Sequence, residues 1–223
     1  ILLLNRSILS SVAKVSGGEG IRIKPVGMHT KAEWTIQMSA IYSSLTRSNL
    51  TTAYLSNGTG GEFYTRISST AGIQVKNGRD GDDTWTQMPL QAGKWLHITY
   101  VHKDKKTTVY VNGKVQKVFE NSAITFGENS MIVVGNSGYR NDYLREIRLW
   151  DKALTESEIN DYLYLPMDPA TPHLISYLPL SKEMETKDLK APAGTENVTT
   201  KARIEYVENV KFPADELVIV NQE

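Results

Sequence analysis

Residues 93–118 read GKWLHITYVHKDKKTTVYVNGKVQKV. Trp95, His97, Thr99 and Val101 fall on one face, and Leu96, Ile98, Tyr100 and His102 on the other, which is the period of two that a pleated strand imposes. A charged turn at Lys103-Asp104-Lys105-Lys106 leads into a second alternating run. Asn112-Gly113 then makes another turn, because both residues tolerate positive φ and the pair is a strong hairpin signal. The stretch predicts a three-strand antiparallel meander near mid-chain.

Working outward from it, short strand patterns recur on both sides. They cover residues 7–15, 20–24, 33–42 (with a bulge expected where the alternation shifts at Ile41), 52–56, 61–67, 72–76, 84–88, 123–126, 131–134 and 144–150. Gly and Asn clusters punctuate them, notably Asn57-Gly58-Thr59-Gly60 and the run from Asn77 to Asp83. One helix is expected near 155–164. Thr155-Glu156-Ser157-Glu158 fits a capping box, and Ile159, Tyr162 and Leu163 follow at helical spacing. Further strands are expected at 174–180, 202–207 and 217–220. More than a dozen short strands with one helix predict an all-β fold, a two-sheet antiparallel β-sandwich. The 223 residues fit one large domain spanning 1–223, with 181–223 as a polar C-terminal extension adding strands to it.

Composition excludes several classes of function. Lys+Arg and Asp+Glu both total 25, so no net field draws the chain to nucleic acid or to an anionic membrane. The absence of cysteine removes disulfides, thiolate metal sites and cysteine nucleophiles. Ile1-Leu2-Leu3-Leu4 is too short for the apolar part of a signal peptide, so any targeting signal is expected to have been cut away or never to have existed. No long apolar run predicts membrane insertion.

Three ordered motifs carry a resemblance. They are Gly93-Lys94-Trp95-Leu96-His97, then Val109-Tyr110-Val111-Asn112-Gly113, then Ile147-Arg148-Leu149-Trp150-Asp151-Lys152-Ala153-Leu154-Thr155-Glu156-Ser157-Glu158-Ile159. Together they resemble the laminin-G-like branch of the concanavalin A-like jelly rolls. Leu178-Pro179-Leu180-Ser181 and the run from Val207 to Pro213 are similar to C-terminal modules of surface proteins of gut Bacteroidetes. The resemblance implies a jelly roll exported by a bacterium, secreted or held at the cell surface. Its implied role is glycan capture without catalysis. The alternative is a structural or adhesion module that spaces or docks neighbouring domains. Trp95, His97, Trp150 and Asn112-Gly113 are then expected to serve folding, as core and ladder.

The chemistry available is that of binding. A glycoside hydrolase needs two carboxylates facing each other across a cleft, and no E-x-D-x-E run is present; Glu183, Glu185 and Asp188 come nearest, in a polar segment. The four histidines are dispersed, with no H-E-x-x-H and no G-x-S-x-G. Sandwich loops usually carry function. Asp80, Asp82 and Asp83 on a sharply turning backbone offer hard oxygen ligands, so calcium is the expected metal there. Stacking on a sugar ring calls for an aromatic face with planar polar groups beside it, which Trp85, Tyr139, Arg140 and Asp142 supply. Sequons occur at Asn5, Asn49, Asn57 and Asn197.

Overall fold

The structure, a computed structural model, describes residues 11–18, 20–45, 51–56, 61–76, 82–120, 126–135, 140–163, 165–208 and 210; at 51–56, 61, 62, 82 and 140 it describes the backbone alone. Its strands in chain order are β1 (Ser11–Ser16), β2 (Ile21–Ile23), β3 (Trp34–Ile41), β4 (Thr51–Ser56), β5 (Gly61–Ser68), β6 (Gly72–Lys76), β7 (Trp95–Lys103), β8 (Lys106–Val111), β9 (Lys114–Phe119), β10 (Met131–Val134) and β11 (Arg140–Trp150). The helix α1 (Glu156–Asp161) follows, then β12 (Leu174–Leu178), β13 (Val198–Thr200) and β14 (Arg203–Glu208). One sheet runs β14-β1-β11-β3-β7-β8-β9, with β12 also on β11; the other runs β13-β2-β10-β4-β5-β6. All the pairings are antiparallel.

The alternation in each strand decides what lies between the sheets. Ile36, Met38, Ile98 and Tyr100 from the first sheet meet Ile21, Ile23, Phe63, Ile73 and Ile132 from the second in one buried cluster. Each such side chain contributes roughly 1.5–3 kcal/mol when fully buried. Trp34 is central, edge-on to Phe63 at 5.2 Å and to Phe126 at 5.7 Å, and stacked on His102 at 5.0 Å. β3 pairs with β7 in unbroken register from Trp34↔His102 to Ile41↔Trp95. The expected bulge at Ile41 is therefore absent, and Tyr42 continues the inward face, fully buried.

The bulge sits instead in β11, where the register to β3 shifts between Arg145 and Arg148. Glu146 takes a left-handed φ of 54° there. Its buried carboxylate accepts from the Tyr177 hydroxyl at 3.0 Å and from Arg148 Nη2 at 2.7 Å. This break lets β11 serve three strands: β3 along one edge, with β1 and then β12 along the other. On the outer side of the first sheet, α1 covers a second apolar cluster of Trp150, Val101, Leu154, Ile159, Met167, Leu174 and Tyr177. The capping box forms as the sequence predicts. Glu158 N donates to Thr155 Oγ1 at 3.2 Å, and Thr155 N to Glu158 Oε2 at 2.9 Å. The helix is shorter than 155–164, and Tyr162 lies past its end, exposed.

Other expectations change as well. Residues 84–88 form no strand: a 3-10 turn at Asp82–Thr84 precedes a single bridge from Gln74 to Trp85. Trp95 is half-buried and outside the core between the sheets, whereas Trp150 is core as expected, though in the second apolar cluster. β13 lacks any sequence pattern strong enough to predict it, and it pairs with β2 while β14 pairs with β1. Buried Asp188 fixes this segment, accepting from Tyr177 N and Lys190 N at 2.9 Å and from Asn197 Nδ2 at 2.8 Å. Asn197, read as a sequon, thus spends its amide on the fold. Residues 217–220 lie outside the described residues.

Candidate binding groove at Trp95

The residues singled out in the sequence do not assemble into one site. Asp80 and Tyr139 lie outside the described residues, and Asp82 and Arg140 are described by backbone alone, in the 3-10 turn and at the start of β11. Asp83 is exposed. The carbonyl oxygens of Asp83 and Trp85 accept from Lys117 Nζ at 2.6 and 2.8 Å, so an ammonium already occupies this side of the turn. Among the described residues no group of three or more Asp, Glu or His side chains gathers as a metal site. Two expectations need correction. Trp85 is only 5% exposed, with its backbone tied to Gln74, and offers no open ring face. Asp142 is 2% exposed, and its Oδ1 accepts from Ser43 N at 2.6 Å, which anchors the chain leaving β3.

What the structure does build is a groove at the end of the first sheet, about 620 Å³ in volume, with Ile41, Leu90 and Trp95 as an apolar floor and Gln91, Lys94 and Asn112 at its rim. Trp95 opens β7 on the outward face, half-buried. The loop facing it is pinned along its length. Thr86 Oγ1 accepts from Ile73 N at 3.0 Å, Leu90 N donates to Ser69 O at 2.9 Å, and Gly93 N donates to Tyr42 O at 2.9 Å. Gly72 permits the approach, since a Cβ there would lie 2.2 Å from Thr86 Oγ1 and 2.4 Å from Met88 O. On the other side, Asn112 sits at φ 50° in the hairpin turn, and its Oδ1 accepts from His97 N at 2.8 Å.

Strand register extends the groove into a row. Across the first sheet, Lys14, Tyr143, Ile41 and Trp95 are successive partners on β1, β11, β3 and β7. All four are half-buried on the outward face. One row deeper, Arg145, Ser39 and His97 share that face but are buried, so the accessible row is a ledge. Burial, with the Arg148 charge adding to it, pushes His97 down to about 3, so it is neutral at physiological pH and no proton donor to a ligand. None of the groove's described lining residues is a carboxylate.

The second sheet also presents polar and aromatic groups outward. Arg22, Tyr64, Arg66, Gln74 and Lys76 share its outer side. Here the Arg66 guanidinium already lies over the Tyr64 ring, 5.1 Å from its centroid, and Gln74 Nε2 donates to Thr84 Oγ1 at 2.9 Å. Arg66 and Gln74 are thus engaged with their neighbours.

The profile of a laminin-G-like family, described as the concanavalin A-like lectin/glucanases superfamily, matches residues 16–160, well over half of the chain. The chain belongs to that superfamily. A search of curated protein sequences finds no match. Solved structures share the superfamily's fold at low identity. One is a Bacteroides ovatus protein provisionally assigned as carbohydrate binding, at 20% identity and a TM-score of 0.69 over 91% of this chain and 61% of that one. The chain therefore spans about three fifths of that protein's length. Another is domain 4 of AbnA, an extracellular arabinanase of Geobacillus stearothermophilus, in complex with arabinotriose; it is 19% identical, with a TM-score of 0.54 over 68% of this chain and 76% of that domain. A SAP-like pentraxin of Limulus polyphemus is 12% identical, with a TM-score of 0.57 over 90% of this chain and 96% of that one. The superfamily's fold accounts for the sandwich and for the strand-to-helix unit ending at Ile159. Sequence reading gave the Trp95 motif a folding role and so missed the groove. The available signal was parity: Trp95 stands on the opposite face from Leu96, Ile98 and Tyr100, and hence opposite the core.

Proposed function

We propose that this protein is a non-catalytic carbohydrate-binding module, exported by a bacterium for glycan capture at the cell surface or outside the cell, and that it holds sugar in the groove at Trp95. The observation that carries the proposal is the pairing of a half-buried indole with a rim of amides and an ammonium, in a groove whose volume falls in the range of small-molecule sites. The indole supplies a flat apolar face for the C–H side of a sugar ring, while Gln91, Lys94 and Asn112 can reach hydroxyls at its edge. The lack of carboxylates among the described lining residues favours binding over hydrolysis, which requires two of them. The likeness in fold to the Bacteroides ovatus protein and to the AbnA domain is in keeping with this reading.

Calcium at Asp80, Asp82 and Asp83 is not needed for this mode of binding. The test is a glycan array followed by calorimetric titration of the hits. Binding that Trp95→Ala weakens about tenfold or more, the effect of removing an aromatic anchor, with the melting temperature preserved, supports the proposal. Silence across plant, host and microbial glycans rejects it, and release of reducing sugar from a bound glycan rejects its non-catalytic part.

A further inference from the structure

We infer that the ligand is an extended oligosaccharide lying across the strands, from Trp95 over Ile41 to Tyr143, and not a single terminal sugar. This rests on the carbohydrate reading of the groove and adds the length and direction of what it holds. Tyr143 and Trp95 are separated by one strand, β3, with Ile41 the register partner of both. Neighbouring strands lie about 4.8 Å apart, which puts the two aromatic positions roughly 10 Å from each other. That separation matches alternate rings of an extended glycan, so about three sugar rings would cover the two platforms and the isoleucine between them.

The ledge has limits that fix its direction. Arg145, Ser39 and His97 are buried one row inward, so a chain cannot run along β3 in that direction without displacing what covers them. At the Trp95 end the row opens into the groove with Gln91, Lys94 and Asn112. At the far end Lys14 follows Tyr143, its ammonium 4.0 Å from the exposed Glu205 carboxylate. The row is thus apolar and aromatic in the middle and polar at both ends, as suits a chain whose ring faces stack while its hydroxyls turn to the sides.

The experiment titrates β-1,4-linked gluco-, xylo- and manno-oligosaccharides and α-1,5-linked arabino-oligosaccharides from one ring to six. Intrinsic fluorescence and calorimetry are the readouts, on the wild-type chain and on the Trp95→Ala, Tyr143→Ala and Tyr143→Phe variants. The inference expects affinity in the bound series to rise at least tenfold from one ring to about three or four and then to level off. Tyr143→Ala should lose at least fivefold on the longer members while leaving the shortest unchanged. Tyr143→Phe should keep the long-chain affinity, and Trp95→Ala should lower affinity at every length. Affinity independent of length, or Tyr143→Ala equal to wild type on long chains, overturns the extended ligand and leaves the groove reading in place. Failure of every series, together with a silent array, overturns both.

Discussion

Of the four tryptophans, Trp34, Trp85 and Trp150 are 0%, 5% and 3% exposed, while Trp95 stands half-buried at the groove. Intrinsic fluorescence that responds to a ligand or to acrylamide therefore reports chiefly on Trp95. Quenching of the wild type should fall sharply in Trp95→Phe; an unchanged quenching constant would place the accessible indole elsewhere. His97 gives a second residue-scale prediction. Its folded value is pushed down to about 3 by burial, against an ordinary value of 6.5. Between those two values the unfolded chain binds the proton and the folded chain does not, so stability falls as the pH falls below 6.5. At about 1.4 kcal/mol per pH unit, the loss attributable to His97 reaches about 2 kcal/mol by pH 5. Urea unfolding at pH 7 and pH 5 should show this loss, and His97→Asn should make it shallower; equal slopes in the two proteins would remove His97 as its source. Residue types alone could not separate Trp85 from Trp95. Trp85 lies in a turn-rich run that reads as exposed, yet its bridge to Gln74 draws it inward. Trp95 lies in a strand motif that reads as core, yet parity turns it outward.

At the scale of elements, local chemistry was legible wherever the partners are close in sequence. The hairpin at Asn112-Gly113 and the capping box at Thr155 each depend on a few consecutive residues. Thr155→Ala removes the side-chain acceptor for Glu158 N and should cost about 1 kcal/mol, or roughly 2–4 °C in melting temperature for a chain of this size. A differential scanning measurement showing no shift would mean that α1 is held by Ile159 and its packing alone. The bulge in β11 was not legible, because Glu146 finds its partners on β11 itself and on β12, 31 residues away at Tyr177. Arg148→Met would leave the Glu146 carboxylate buried without its counter-charge. It would also strip the carbonyls of Tyr162 and Leu165 of a donor. The expected cost is about 3–5 kcal/mol, readable as a large drop in the urea midpoint. A loss under about 1 kcal/mol would show the pair to be solvated in practice.

For the whole molecule, alternation announced a sandwich but not the order of strands within each sheet. The row from Lys14 to Trp95 exists only because β1, β11, β3 and β7 are neighbours, although residues 14 and 143 stand far apart in sequence. Long-range pairing of this kind leaves no local trace, so the ledge was invisible where the hairpins were plain. Metal dependence is also a question for the whole fold. If the resident Lys117 ammonium does at the acidic turn what a cation would do, neither calcium nor a chelator should move the melting temperature or the glycan affinity. A calcium-dependent rise in either would restore the metal to that turn.

The pairing of β1 with β14 bears on how the protein carries load. Ser11, which opens β1, faces Glu208, which closes β14. A pull that separates these two residues would strain the cross-strand bonds one after another, like a zip, because ladder bonds in an antiparallel pair stand perpendicular to the strands. Tension along a longer polypeptide would then tend to peel this edge first, while β11, β3 and β7, which carry Tyr143, Ile41 and Trp95, stay out of the line of force.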